Sequence, residues 1–352
     1  AQLAIKRGNE VGALAKEIYG AAVWVEVEYQ KDDVGAMLQQ TQELLEQGAD
    51  FPIFEAAFQH EGVLVRVDVL IPDRDTWRAV EVKGSTKLKK HYKFDCAIQW
   101  WVMKGAGISV KSISVAHVNN QFVFPENRDY TGLLVEKDVT EEADQLADEV
   151  EQLVAEARVA AGESVPDVLI GGHCNKPYDC EFWHLCWPSD AEYPTTGIGG
   201  YKSKQAEWIN RGLTDLRDIP IEEIKNETQQ WIHRVTTACE PELLARAKEI
   251  LNSLAYPRYY LDFETIGPAV PFWEGTRPYQ PLPVQWSIHI YDGKGDGSLE
   301  SMRHEEFLDI SGDAPMRQLA EEMIRVLGDS GPVLMYTDYE LRCINTLIEL
   351  CP

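Results

Sequence analysis

The chain of 352 residues lacks any apolar run approaching the roughly 18 residues of a membrane span, which excludes a helical membrane protein. It also lacks a charged, then apolar, then small-residue leader, and it starts at Ala1 without a methionine, so a segment upstream is expected. Internal repeats and low-complexity tracts are missing. Cysteine is sparse: Cys96, Cys174, Cys180, Cys186, Cys239, Cys343 and Cys351 make an odd, scattered set. A secreted scaffold would need an even, dense framework, so a cytoplasmic protein is expected. Positive charge is short as well, with 33 Lys and Arg against 58 Asp and Glu and a net charge of -25. A protein of that balance does not coat nucleic acid through a general positive field, so any contact with phosphate has to be local.

The length suits two or three domains, since one core serves on the order of 100 to 200 residues. Helical patterns over residues 10–19 and 34–47 lead into strand-like runs at 52–59 and 63–71, with Gly62 between them, and a third run at 79–83 after a Pro- and Asp-rich turn. A helix over 90–103, strands at 112–118 and 121–124 and a long acidic helix over 140–160 follow. Residues 195–252 read as helical with Gly-rich interruptions. The last section reads as three strands (259–264, 284–291, 299–307), a helix (314–327), a strand (332–336) and a terminal helix. The one dense basic stretch is Lys83, Lys87, Lys89, Lys90 and Lys93; the last four are candidate nucleic-acid contacts, against the plainer reading of a solvated face.

Alternation along a strand predicts that Val63, Val65, Val67, Val69 and Ile71 share one face, with Arg66 and Asp68 on the other. On the next strand Val80 and Val82 face the core, which puts Glu81 and Lys83 together beside Asp68. Two carboxylates and an ammonium would then meet. Hard divalent ions such as Mg2+ or Mn2+ take oxygen ligands, and a bound ion makes a water acidic enough to attack phosphorus. The lysine can orient that water or stabilise developing charge. The helix that follows spaces His91, Asp95 and Gln99 at four-residue steps, a polar stripe expected to lie over the carboxylates. The plainer alternative is a half-buried hairpin with charges on its wet face.

This constellation resembles the RecB-type branch of the PD-(D/E)xK nuclease superfamily. The resemblance implies a restriction-endonuclease-like α/β core with Asp68 and Glu81 as metal-binding acids, Lys83 as the catalytic lysine and Gln99 as the branch's helix glutamine. The branch's Tyr four residues on is Met103 here, and its first-helix His falls at Gly12. Glu10 and Glu55 are candidate substitutes for the missing ligand.

The stretch GGHCNKPYDCEFWHLCW sets Cys174, Cys180 and Cys186 at two equal six-residue intervals among aromatics. Three thiolates call for a fourth ligand: His173 or His184 would complete a zinc site, and a fourth cysteine would complete an iron-sulfur cluster. The spacing lacks the Cys-x2-4-Cys of zinc fingers, which puts zinc second. RecB-type nucleases with an iron-sulfur staple, among them CRISPR adaptation nucleases and AddB-like subunits, carry one cysteine before the core and three after it. That resemblance implies a 4Fe-4S cluster whose first ligand precedes Ala1, with Cys96 or Cys239 as alternatives. The segment TTGIGGYKSKQAEW looks like a degenerate helix-hairpin-helix, against the reading of an ordinary helical linker.

Near the C-terminal end, YYLDFETIG places Asp262 and Glu264 on one face of an apolar strand, where buried charge would require a partner or a metal. Asp-x-Glu-Thr-x-Gly resembles the first motif of DEDD exonucleases of the RNase H-like fold. The resemblance implies two metal ions, with Glu340, or Asp338, from the second motif; the third motif would lie beyond Pro352. A Pro- and aromatic-rich loop bearing Arg277 is expected either to touch nucleic acid or to pack rigidly over the sheet.

Nearly the whole chain resembles one bacterial family, through IFEAAF, EVKGST, HCNKPYDCEFWHLC, the YPRYYLDFETIGPAVPFWEGTRPYQPLPVQWSIHI stretch and YTDYE. It implies a RecB-like nuclease with iron-sulfur motif over 1–190, a helical linker over 191–254 and an RNase H-like mixed sheet over 255–352. The expected function is metal-dependent hydrolysis of DNA, on single strands or ends, in phage defence or repair. A non-catalytic nucleic-acid-binding or scaffold subunit with a protein partner, and a zinc-stapled RNA exonuclease, are the rival readings.

Overall fold

The computed structural model describes residues 2–20, 23–31, 33–162, 168–188 and 190–351. The chain divides into two compact units, Ala1–Ala157 with Leu254–Pro352, and Arg158–Ser253. The cysteine segment, expected to belong with the first core, falls in the same unit as the helical segment after it.

The first unit opens with α1 (Gln2–Tyr19), β1 (Val25–Glu26), and α2 (Val34–Glu46), whose first turn is capped by Asp33 accepting from the Ala36 amide at 2.9 Å. Strands β2 (Ile53–His60), β3 (Val63–Asp73) and β4 (Thr76–Lys83) form an antiparallel meander. The two-residue turn Glu61-Gly62 has φ of 45° and 75°, the left-handed pair that a tight hairpin requires. Then come α3 (Lys90–Gly105), β5 (Val110–Val118), parallel to β4, β6 (Leu134–Asp138), α4 (Thr140–Gln145) and α5 (Ala147–Ala161). The six strands lie in the order β1-β2-β3-β4-β5-β6. Residues 121–124, expected to be a strand, are not one; Phe124 instead exchanges backbone bonds with Gly275 and Thr276, at 2.9 Å each.

In the second unit α6 (Trp183–Cys186), α7 (Lys202–Asn210), α8 (Glu227–Ala238) and α9 (Ala245–Ser253) are joined by short 3-10 turns. Its core holds Ile198, Trp208, Leu216, Ile219 and Ile224. Gly199 and Gly200 both have positive φ ahead of α7, as the glycine turn predicts. The Gly199 carbonyl there accepts from the side-chain amides of Gln205 and Gln229.

The chain then returns to the first unit with β7 (Arg258–Ile266), β8 (Leu282–Tyr291), β9 (Arg303–Leu308), α10 (Met316–Leu327), β10 (Val333–Leu334) and α11 (Tyr339–Leu350). This second sheet runs β10-β7-β8-β9, with β10 parallel to β7 and the rest antiparallel. Leu261, Phe263, Trp286 and Ile288 pack with Leu319, Met323, Cys343 and Leu347 of α10 and α11. Both sheets are thus mixed and helix-covered, an α/β architecture. Among the described residues, no helix is long and apolar enough to cross a membrane.

Candidate functional site

The expected single apolar face of β3 is broken at Asp68. Val63, Val65 and Val67 pack into the cluster that contains Cys96, Trp100 and Met103 of α3. Val69 and Ile71 pack instead with Phe54 and Val80 on the face where Tyr19 of α1 lies. The β2–β3 ladder pairs Phe54 with Val69 and Ala56 with Val67 and skips the Glu55–Asp68 position between them. Glu55 has φ of 59°, a left-handed conformation that costs a non-glycine residue strain and is concentrated at functional sites. On its other side β3 pairs with β4 only as far as Val69–Val80. Beyond that point the Asp68 carboxylate takes over, accepting from the Val82 amide at 2.6 Å. Asp68 therefore sits at a fork between three strands, with Glu55 across one gap and Glu81 across the other.

Glu81 is 6% exposed, on the face covered by α3. Its Oε1 accepts from Lys83 Nζ at 2.6 Å and its Oε2 from Gln99 Nε2 at 2.7 Å. Lys83 also donates to Asp95 Oδ2 at 2.6 Å and lies 5.3 Å from the ring centre of Tyr92. The polar stripe of α3 thus does lie over the acids, because four-residue steps stack Asp95 and Gln99 on one side of the helix. Asp95, recognised in the sequence only as a stripe member, is the second anchor of the lysine.

The electrostatics follow from this burial. Desolvation pushes the Asp68 carboxyl up to about 6, with Glu55 and Asp95 adding repulsion against the Val82 bond and Lys83. Desolvation also pushes Glu81 up to about 8, reinforced by the charge of Asp68. For Lys83 burial opposes the charge, yet Glu81 and Asp95 together outweigh it and hold the ammonium pKa above its usual range. Gln99 Oε1 is buried and has no partner. Two carboxylates that resist ionisation beside an orphaned amide oxygen are a set of hard oxygen donors short of positive charge.

Asp68 and Glu55 line one groove of about 320 Å³ with Gly8, Asn9, Gly12 and Lys16 of α1. Glu10 does not join them; it is exposed and lines another groove with Arg7 and Thr265. Of the four flagged lysines, Lys87 and Lys89 line a cleft of about 760 Å³, Lys90 is exposed, and Lys93 is bound to Glu142 at 2.6 Å. Met103, where the RecB-type branch has tyrosine, is fully buried.

The other expected sites are looser. Asp262 and Glu264 share one face of β7, but that face is exposed rather than buried. Helices α10 and α11 pack on the opposite side, against Leu261 and Phe263. Glu340 is buried and accepts from the amide and hydroxyl of Thr337 at 3.2 and 3.3 Å, holding the first turn of α11, where Asp338 is the cap residue. In the second unit Cys174 is half-buried, and Cys180 and Cys186 are exposed, as are His173 and His184. Cys174 packs in a small cluster with Trp183, which stacks on Trp187 at 3.7 Å between ring centres. Cys96 is fully buried in the first unit's core, where burial pushes its thiol pKa well up. Cys239 lies against Tyr193. Among the described residues, no three His, Cys, Asp or Glu side chains are grouped so as to hold a metal ion.

Residues 259–352 match the family model described as "Domain of unknown function (DUF2779)". Among solved structures, the chain is similar to one described as "Crystal structure of SSO0001", at 14% identity and a TM-score of 0.20. That similarity covers 43% of this chain and 66% of the other, just under two thirds of its length. No curated protein matches the chain.

Proposed function

We propose that the chain is a divalent-cation-dependent nuclease of the PD-(D/E)xK type that hydrolyses phosphodiester bonds of DNA. The observation that carries this reading is the convergence of Asp68, Glu81, Lys83 and Gln99 where the β3–β4 ladder opens. Asp68 and Glu81 would hold Mg2+ or Mn2+, with Glu55 at its edge. Magnesium is commonly bound through one or two carboxylates and keeps several waters, so two buried acids suffice without a closed cage. When bound, the ion supplies an acidified water for attack on phosphorus. Lys83, held by Glu81 and Asp95, keeps a fixed positive charge that stabilises the developing negative charge on the phosphoryl oxygens. Gln99 orients Glu81. Single strands or ends are the proposed substrates, and phage defence or repair the setting. Degradation of labelled single- and double-stranded DNA with Mn2+ or Mg2+ tests it: activity should appear with wild type and vanish with Asp68→Ala. Equal degradation by both proteins would sink the reading.

The RNase H-like sheet is proposed to be non-catalytic, because its acids are exposed or engaged in holding α11. Full loss of cleavage in Asp262→Ala would reverse that assignment in favour of an exonuclease site there.

Cys174, Cys180 and Cys186 are proposed as ligands of a 4Fe-4S cluster, with zinc as the alternative. Among the described residues, their thiols do not close a ligand set. Metal sites of this kind often form only as the metal binds, so composition is the test. Iron, acid-labile sulfide and a brown colour in the purified protein support the cluster, and zinc alone or no metal removes it.

A further inference from the structure

The cleft of about 760 Å³ begins at Gly84, the residue after Lys83, and its far side is built by residues 277–281, in the loop between β7 and β8. We propose that this cleft holds the phosphodiester backbone of a single nucleic-acid strand, which makes the C-terminal sheet the second wall of the substrate path. The inference rests on the nuclease reading for its location and goes beyond it in assigning that sheet a substrate-holding role.

Charge is the first argument. In a chain with 58 acidic and 33 basic residues, no lining residue of the cleft is acidic, while Lys87, Lys89 and Arg277 all line it. Lys87 is exposed and has no ion-pair partner among the described residues; Lys89 lies 5.6 Å from the ring centre of Tyr92. Arg277 is forked onto Glu349 at 2.7 and 3.0 Å, so the lysines supply most of the net positive charge. Local cations in a strongly acidic protein are what phosphate contact requires.

The second argument is an unspent donor. Gln280 is 7% exposed and lines the cleft. Its Oε1 accepts from the Arg277 amide at 2.9 Å, which fixes the orientation of the side-chain amide and leaves Nε2 without an acceptor. That nitrogen is shut off from water, so an oxygen of an acceptor-rich ligand such as a phosphodiester would pair with it only after a shift of the Gln280 side chain.

Rigidity is the third. Tyr279 has φ of 59°, its amide bonds Pro268 O at 2.8 Å, and its hydroxyl donates to the Gly84 carbonyl. Phe124 is bonded to Gly275 and Thr276 in the same loop. A wall fixed in advance loses little entropy on binding. The volume lies in the range of about 300–1,000 Å³ that suits small ligands, room for a few nucleotides of one strand and not for a duplex. Tyr279 and Pro281, both half-buried, offer surface for bases.

The experiment uses the full chain in EDTA, so that binding is read without cleavage, with fluorescein-labelled oligothymidine followed by anisotropy over a range of salt concentrations. Lys87→Ala/Lys89→Ala should weaken binding about tenfold at about 0.1 M salt and lower the slope of log affinity against log salt by about 1.4. Lys111→Ala/Lys294→Ala, an equal charge change on exposed sites elsewhere in the first unit, should change neither. No binding by wild type, unchanged binding by the first variant, or a duplex bound as tightly as the single strand would overturn the proposal. Asp68→Asn separates it from the nuclease reading. If that variant loses cleavage while Lys87→Ala/Lys89→Ala binds as wild type, the nuclease stands and the cleft falls; the reverse pattern leaves the cleft and removes the nuclease.

Discussion

Strands β4 and β7 carry motifs of the same kind, charged residues two apart on an otherwise apolar strand, and they end in opposite electrostatic states. On β4 the charged face of Glu81 and Lys83 is roofed by α3, and burial drives Glu81 up to about 8. On β7 the apolar face takes both helices, so Asp262 and Glu264 stay in water. The strand pattern is the same, but the position of the covering helix decides whether a carboxylate is an ordinary surface charge or one that demands a cation.

The largest difference should appear in catalysis. Asp68→Asn or Glu81→Gln should lower the DNA cleavage rate roughly 100- to 1,000-fold, while Asp262→Asn and Glu264→Gln stay within about twofold. Comparable losses at both strands would dissolve the contrast. In stability, Lys83→Ala should cost about 2–3 kcal/mol by urea unfolding, below the range for fully buried pairs because Glu81 can take up a proton instead.

Next is a pH effect of reversed sign. The folded-state pKa of Glu81 lies above its unfolded value of 4.5, so the stability conferred by the neutral acid is complete below pH 4.5 and is lost as pH rises to about 8. Without divalent cations, Glu81→Gln should therefore unfold at higher urea than wild type at pH 8, with the gap closing near pH 4. The new amide can donate to the orphaned Gln99 Oε1 once that side chain turns over. A lower midpoint at pH 8 would contradict the burial account.

The smallest effect concerns the link between the two sheets. Tyr279→Phe removes the bond to the Gly84 carbonyl and should cost about 1 kcal/mol, read as a fall in Tm. An unchanged Tm would mean that the loop is held by Phe124, Gly275 and Thr276 alone.

Much of the candidate site was legible because its signals are local. The hairpin, the Glu81-x-Lys83 spacing and the Asp95–Gln99 stripe follow from periods of 2 and 3.6 residues. The strand expected at 121–124 was not, because Phe124 bonds to a loop some 150 positions away while Phe122 turns back onto Asn119. Glu10 and Glu55 looked equivalent as substitutes in the sequence; strand pairing placed Glu55 opposite Asp68, while the turn of α1 sent Glu10 to another groove.

By itself the sequence determined which residues lie on which short element near the site: the hairpin strands and the helix after Lys83, the acids on β3 and β4, the acids on β7, and the cysteine spacing. Backbone sterics and side-chain alternation act over a few residues and are written locally. Only the tertiary structure decided the slip of face at Glu55 and Asp68, the burial that raises both acids, and the joining of the C-terminal loop to the turn after Lys83. Each depends on which distant segment supplies the neighbour, and desolvation, unlike alternation, has no period in the chain.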